Sequence, residues 1–289
     1  MNCIIDVGGG NKGAFGAGVV ERCMDDHIVF DDCIGVSAGG ANLITYAARQ
    51  GGRLYHFYHD FAFRKEYMSF ANILKQGQYI DLNYVFSTLT NSDGESPLDF
   101  QTALQYPGKV EITITDAVSG NAEFVPISEM QQDDYWCLKA SCVIPFVCKP
   151  VEHDGHVYYD GGLGDPVPIR RAVEMGCDKI VLVLTRPKDF RKTPGMDAKS
   201  ARFLEKKYPR IAELLRKRAE NYNIEVEYAL ELEKQGRCRI IAPPVLSEVG
   251  TLKKSPDAID RMYRCGYREA EKIKAYLESD TNSVGQNVT

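Results

Sequence analysis

Three clusters of small and polar residues in this chain could carry covalent chemistry. Gly35-Val36-Ser37-Ala38-Gly39 fits G-x-S-x-G, with a short apolar segment before it and a small-residue helix start after it. A serine on a tight strand-to-helix turn is pushed out of the backbone, where a substrate can reach it. Gly35 and Gly39 leave room for the turn and for close approach of the following helix. The N-terminus of that helix would lie beneath a developing negative charge. The second cluster is Gly8-Gly9-Gly10-Asn11-Lys12-Gly13. As Gly8-x-Gly10-x-x-Gly13 it matches the dinucleotide fingerprint, which wants a second strand ending in an acid that grips a ribose. Here the second strand ends in Gly35-Val36-Ser37 instead. Successive glycines at a helix N-terminus also present backbone N–H groups as a nest for an anion, the geometry of an oxyanion hole. Lys12 adds positive charge at its rim. The third cluster is Asp160-Gly161-Gly162, which ends the apolar run Val157-Tyr158-Tyr159. Alone it reads as a plain turn. Beside the other two clusters it offers a carboxylate base.

The elements that must position these clusters follow from local pattern. Cys3 to Val7 reads as a short buried strand, Ala14 to Met24 as a helix, Asp32 to Val36 as a second strand and Ala38 to Arg49 as a helix closed by Gly51-Gly52. A β-turn-α-β-turn-α opening with polar turns predicts a parallel α/β sheet, whose sites lie at the carboxyl ends of strands. Lys109 to Asp116 alternates and is followed by the turn Ser119-Gly120-Asn121, predicting a strand pair with Ala122 to Ile127. Val147 to Glu152 and His156 to Asp160 bracket Asp154-Gly155, a second hairpin. Lys179 to Leu184 suits a strand buried on both faces, and Arg239 to Ala242 a further strand. Ser255 and Pro256 open a last helix to about Leu277.

The stretch Leu54 to Leu74 crowds in Tyr55, Phe57, Tyr58, Phe61, Phe63, Tyr67 and Phe70. It is either a helix packing aromatics into the core or an acyl-binding wall or lid. Arg202 to Arg218 interleaves basic and apolar residues, as a helix with one solvated face or one touching anionic lipid headgroups.

Net charge is −5, from 35 basic and 40 acidic residues, which argues against a nucleic-acid binder. A local patch could still meet lipid, so peripheral membrane contact stays open. Nine cysteines without any C-x-x-C pair read as free thiols in a reducing cytosol. No secretory signal or membrane-spanning run is apparent, and a cytoplasmic location is expected. The sequence has five histidines, His27, His56, His59, His153 and His156. None follows residue 156, where a histidine-last hydrolase triad would need one. His153 or His156 with an earlier acid remains the basis of a histidine-dependent esterase.

The three blocks, in their order, resemble the patatin-like phospholipase family. The resemblance covers roughly the first two hundred residues, and Ala140-Ser141, Ile144-Pro145 and Asp165-Pro166 share it. It implies a three-layer αβα sandwich with a mostly parallel central sheet. It also implies Ser37 as nucleophile, Asp160 as its base without histidine, and an oxyanion hole within Gly8 to Gly13, around Gly9, Gly10 and Lys12. The expected reaction is hydrolysis of lipid esters of the phospholipid or lysophospholipid class through an acyl-enzyme, without metal or cofactor. The alternative is a nucleotide- or phosphate-binding protein that uses Gly8 to Gly13. One domain is expected over 1–289: a family core to about 195, a mainly helical extension over 196–278, and a disordered polar tail over 279–289.

Overall fold

The computed structural model describes residues 1–246, 248–252 and 255–279, so the polar tail expected after Ser279 lies outside the described residues. Strands β1 (Asn2–Asp6), β2 (Asp32–Val36), β3 (Lys109–Asp116), β4 (Ala122–Pro126), β5 (Val151–His153), β6 (His156–Asp160), β7 (Lys179–Val183) and β8 (Cys238–Ile241) form one sheet. Its middle, in the order β3-β2-β1-β7-β8, is parallel throughout. Strands β4, β5 and β6 are antiparallel additions beyond β3.

The apolar strands explain the layering. Side chains alternate along a strand, so β1 sends Ile4 into one core and Cys3 and Ile5 into the other. Strand β7 divides likewise, with Val181 and Val183 on the first face and Ile180 and Leu182 on the second. Helices α1 (Ala14–Asp25) and α2 (Ala38–Ala47) cover the first face together with the helix Pro256–Glu269. The helix Ile169–Glu174 and the C-terminal half of the long helix Pro209–Lys234 cover the second. This is the expected three-layer α/β sandwich. Each fully buried branched aliphatic side chain contributes roughly 1.5–3 kcal/mol, so two covered faces hold the strand ends rigidly.

One register detail places the site. On β3, Thr113 pairs with Val36 of β2 and with Phe124 of β4, while Ile114 pairs with Asp160 of β6 and with Glu123 of β4. Strand β4 therefore takes one edge of β3, and β2 and β6 share the other, meeting end to end. The chain's second and sixth strands thus deliver Ser37 and Asp160 to one point.

The C-terminal region is mainly helical, and it also supplies the edge strand β8. Its helix Pro256–Glu269 lies backbone to backbone on α1. A Cβ added at Gly18 would stand 2.0 Å from the Tyr263 carbonyl oxygen, and one at Gly266 would stand 2.0 Å from that of Phe15. The expected single last helix is two, Pro256–Glu269 and Glu271–Glu278, and the Ser255 side chain makes no capping bond. Helix α2 stops at Ala47 rather than Arg49, because Arg49 adopts a left-handed φ of 54°.

The aromatic run divides between core and cavity wall. It breaks into helices Arg53–His59 and Phe70–Gln76. Tyr58 is buried, Phe57, Phe61 and Tyr67 wall a cavity, and Phe70 stands 79% exposed. The nine cysteines are all free. Among the described residues no helix is long and apolar enough to cross a membrane.

Candidate active site

Ser37 follows β2 directly in a strained conformation, with φ 56° and ψ −130°. A non-glycine residue held there costs on the order of 1–3 kcal/mol and persists only where its surroundings fix it. The fixing group is Ser141, which is fully buried. Its Oγ accepts the Ser37 N–H at 2.8 Å and donates to the Thr113 carbonyl at 2.7 Å. Gly39 allows α2 to start against β1, since a Cβ there would lie 2.0 Å from the Asp6 carbonyl oxygen.

Asp160 ends β6 and is buried. Its Oδ1 accepts the Gly162 N–H at 2.8 Å, and Thr115 Oγ1 donates to its backbone carbonyl at 2.8 Å. Ser37 and Asp160 line one cavity, with the Ser37 side chain near enough to help hold the Asp160 carboxyl down. Burial pushes that carboxyl above its ordinary range, against the lowering effects of Arg218, the Ser37 and Gly162 hydrogen bonds, and Lys192. The Cys142 thiol also touches Ser37, and burial pushes that thiol up.

The glycine loop is clamped at both ends to α2. Asp6 Oδ1 accepts the Gly8 N–H at 2.9 Å, and Asp6 Oδ2 accepts from Asn42 Nδ2 at 2.8 Å. Asn42 Nδ2 also reaches the Gly13 carbonyl at 3.0 Å, and the Tyr58 hydroxyl donates to Asn42 Oδ1 at 3.3 Å. Gly8 has φ +60°, and a Cβ there would lie 2.3 Å from the Val36 carbonyl oxygen. The six expected loop residues therefore divide. The Gly8 N–H is spent on Asp6 and the Asn11 N–H on the Thr251 carbonyl, at 3.1 Å. Gly13 serves as a contact residue beneath Tyr58. Gly9 and Gly10 line the polar cavity beside Ser37, and among the described residues their N–H groups have no acceptor. Lys12 is buried with its Nζ on Thr251 Oγ1 at 2.8 Å. Desolvation, with Arg186 and Arg218, brings its pKa down to about 8.

Ser37 borders two cavities. One, with an empty volume of about 920 Å³, is walled by apolar side chains such as Ile44, Leu54, Phe57, Val85, Leu98 and Leu138. The other, of about 720 Å³, is polar and includes Asp160, Lys12, Arg186, Lys192 and Arg218. Both volumes fall in the range of ligand pockets, and Gly10, Ser37, Ile144 and Thr251 border both. Among the described residues no histidine lines either cavity. His153 stacks on Trp136 at 3.8 Å, and the exposed His156 approaches Asp116 at 3.4 Å.

Sequence reading missed the bridging role of Ser141 and, apart from Lys12 at the loop rim, the cation cluster. Arg218 was visible only as one member of the basic stretch. The stretch otherwise behaves as a solvated face: Arg216 pairs with Glu205, and Arg210 and Lys217 pair with Glu213. Lys192 and Arg186 carried no spacing signal at all.

The family model for patatin-like phospholipases matches residues 7–173, and a model for a domain of unknown function, DUF6363, matches residues 208–279. The chain is 27% identical over 212 residues to the uncharacterized protein YjjU of Escherichia coli K12, covering 68% of this chain and 55% of that protein. It thus spans about half the length of the curated relative it matches. The crystal structure of VipD from Legionella pneumophila superposes with a TM-score of 0.47 and 13% identity, over 94% of this chain and 66% of that one. The family match takes in more than half of the chain, so the chain belongs to the patatin-like phospholipase family.

Proposed function

We propose that this patatin-like phospholipase family member is a serine acyl hydrolase cleaving carboxylic ester bonds of phospholipids or lysophospholipids. The observation that carries the reading is the meeting of the Ser37 hydroxyl and the Asp160 carboxyl between an apolar cavity and a loop with acceptor-free N–H groups. The acyl chain occupies the apolar cavity, which places the ester carbonyl over Ser37. Asp160 takes the hydroxyl proton as Ser37 Oγ bonds to the carbonyl carbon. The carbonyl oxygen becomes an oxyanion held by the Gly9 and Gly10 N–H groups; losing one such donor typically costs about 3 kcal/mol. The carbon–oxygen bond to the alcohol breaks, and Asp160 returns the proton to the leaving alkoxide. Water then enters, loses a proton to Asp160 and attacks the acyl-enzyme carbonyl; the bond to Ser37 Oγ breaks, Asp160 returns the proton to that oxygen, and a fatty acid leaves. In this scheme the protein meets lipid at the membrane surface as a peripheral protein, works in the cytoplasm and has no nucleic-acid partner.

Labelling by a fluorophosphonate ester tests the reading. Covalent modification of Ser37, lost in Ser37→Ala and slowed in Asp160→Asn, is the expected result. Absence of labelling, together with thermal stabilisation by nucleotide, would replace the hydrolase by a nucleotide-binding protein. Activity lost in His156→Ala but kept in Asp160→Asn would replace the dyad by a histidine-dependent esterase.

A further inference from the structure

The polar cavity beside Ser37 carries a charge imbalance that acyl transfer alone does not use. Among the described residues four cationic side chains, Lys12, Arg186, Lys192 and Arg218, line it, and Asp160 is the one lining carboxylate. Outside the wall a second carboxylate, Asp197, accepts from Arg218 Nη1 at 3.2 Å. The Arg218 Nε is buried without a hydrogen-bond partner. Lys12 finds only the neutral Thr251 hydroxyl. The side chains of Arg186 and Lys192 have no ion-pair partner among the described residues. They lie instead over rings of their own chain, Arg186 over Phe190 at 4.3 Å and Lys192 over Tyr222 at 4.9 Å.

Like charges gathered in a partly dehydrated hollow repel one another, and burying a cation without a counter-charge is costly. The mutual repulsion is visible in Lys192, whose pKa burial, Arg218 and Arg186 bring down to about 7. A multiply charged oxyanion relieves all four at once, and guanidinium groups suit phosphate oxygens through charge-assisted bonds. The same walls disfavour a quaternary ammonium. Two of the nearby aromatic faces are already occupied by cations of the chain, Asp197 is engaged by Arg218, and Asp160 faces Ser37. The cavity also adjoins the apolar one at Ser37, so an ester whose acyl chain fills the apolar cavity has the polar one beside its alcohol half.

We infer that the chamber of Lys12, Arg186, Lys192 and Arg218 seats a phosphate-bearing headgroup of net negative charge, which makes anionic glycerophospholipids the preferred substrates. The identity of the occupant as the headgroup of a lipid ester rests on the hydrolase reading. The shared chemistry with a free phosphate ion is the phosphate oxyanion itself, and the test separates the two sources.

Dihexanoyl phosphatidate and dihexanoyl phosphatidylcholine, both below their micellar concentrations, are titrated into the full-length Ser37→Ala chain by calorimetry. Phosphatidate is expected to bind at least about tenfold more tightly, and adding Arg186→Gln and Lys192→Met to that chain is expected to remove most of the difference. In the wild type, kcat/KM is expected to favour phosphatidate in the same sense. Equal binding of the two lipids overturns the proposal, as does a preference that survives loss of both cations. Inorganic phosphate bound as tightly as phosphatidate, with no preference between the lipids, also overturns it and makes the chamber a free-anion site. Should Ser37→Ala not melt cooperatively, protection of wild-type Ser37 from fluorophosphonate by glycerol 3-phosphate, absent with glycerol, reads the same contact, and equal effects of the two overturn it. Failure of the hydrolase reading looks different: no ester is cleaved and Ser37 is not labelled, while the calorimetric preference is still measured.

Discussion

The Ser141 hydroxyl accepts the N–H of Ser37 at 2.8 Å and passes its own hydrogen to the Thr113 carbonyl at 2.7 Å. One side chain thereby ties the strained elbow to β3, the strand whose edge also carries β6 and Asp160. Ser141→Ala leaves a buried N–H and a buried carbonyl without this partner, which costs about 1–3 kcal/mol. The expected result is a urea midpoint lowered to that extent and, because the elbow can relax, a fluorophosphonate labelling rate at Ser37 lowered about tenfold or more. An unchanged labelling rate in a destabilised variant would make Ser141 a structural residue only.

As the proposed base, Asp160 must be ionised to accept the Ser37 proton. Burial raises its pKa, while Arg218, Ser37, the Gly162 N–H and Lys192 work against that rise. Arg218→Gln removes the largest of the opposing charges, so the carboxyl stays protonated to higher pH. The acid limb of kcat/KM for an uncharged ester is then expected to move upward in pH, with Lys192→Met moving it in the same direction. A limb that stays in place in both variants, or moves down, contradicts the assignment of Asp160 as base.

Asp6 is fully buried, and burial raises its carboxyl from 3.8 to about 6, over the lowering effects of Asn42 and Gly8. Between those two values the folded chain keeps a proton that the unfolded chain has released. Stability from this group is therefore greatest below about pH 4, declines as pH rises towards 6 and is level above it. The decline amounts to roughly 3 kcal/mol. Asp6→Asn, whatever its offset in stability, should flatten that slope relative to the wild type in denaturant titrations between pH 4 and 7. Asp165, raised by burial to about 6 as well, keeps part of it.

Gly161 follows Asp160 where β6 meets β3. A Cβ at Gly161 would lie 2.1 Å from the Thr113 carbonyl oxygen, which is backbone and cannot step aside cheaply. Gly161→Ala is expected to cost roughly 1–3 kcal/mol and to depress labelling of Ser37 by shifting Asp160. Gly155 in the β5–β6 turn has φ +80° but nothing within 4 Å of such a Cβ. Gly155→Ala should therefore cost only about 1 kcal/mol in strain and leave labelling intact. Equal losses of labelling in both variants would undo this account.

Much of the fold was legible because its strands are buried on both faces and announce themselves as apolar runs between glycine turns. Asp32–Val36 coincides with its expected bounds, and the strand pairs around Ser119-Gly120-Asn121 and Asp154-Gly155 form where turn chemistry put them. The three clusters were also readable, since each concentrates residues with special backbone demands in a few positions. What local pattern could not supply was the edge of β3 shared by β2 and β6. That depends on β4 taking the other edge. The cation chamber was hidden for a similar reason: Lys12, Arg186, Lys192 and Arg218 come from separate segments, and no spacing links them. Local pattern also could not show that the Asn11 N–H is consumed within the loop, because the Thr251 carbonyl that accepts it lies 240 residues along the chain. The break between the last two helices at Ala270 carries no glycine or proline to mark it.

The grip of Thr251 on the glycine loop has a consequence for anyone trimming the protein. Asn11 and Lys12 are both held by Thr251, the helix that follows it lies in glycine-to-backbone contact along α1, and Arg218 reaches the polar cavity from the long helix before it. A fragment cut at the end of the family match would keep Ser37 and Asp160 yet lose the brace over the loop, three of the four cations of the chamber and the cover of α1. Such a fragment would carry the motif of a hydrolase on a scaffold left ajar.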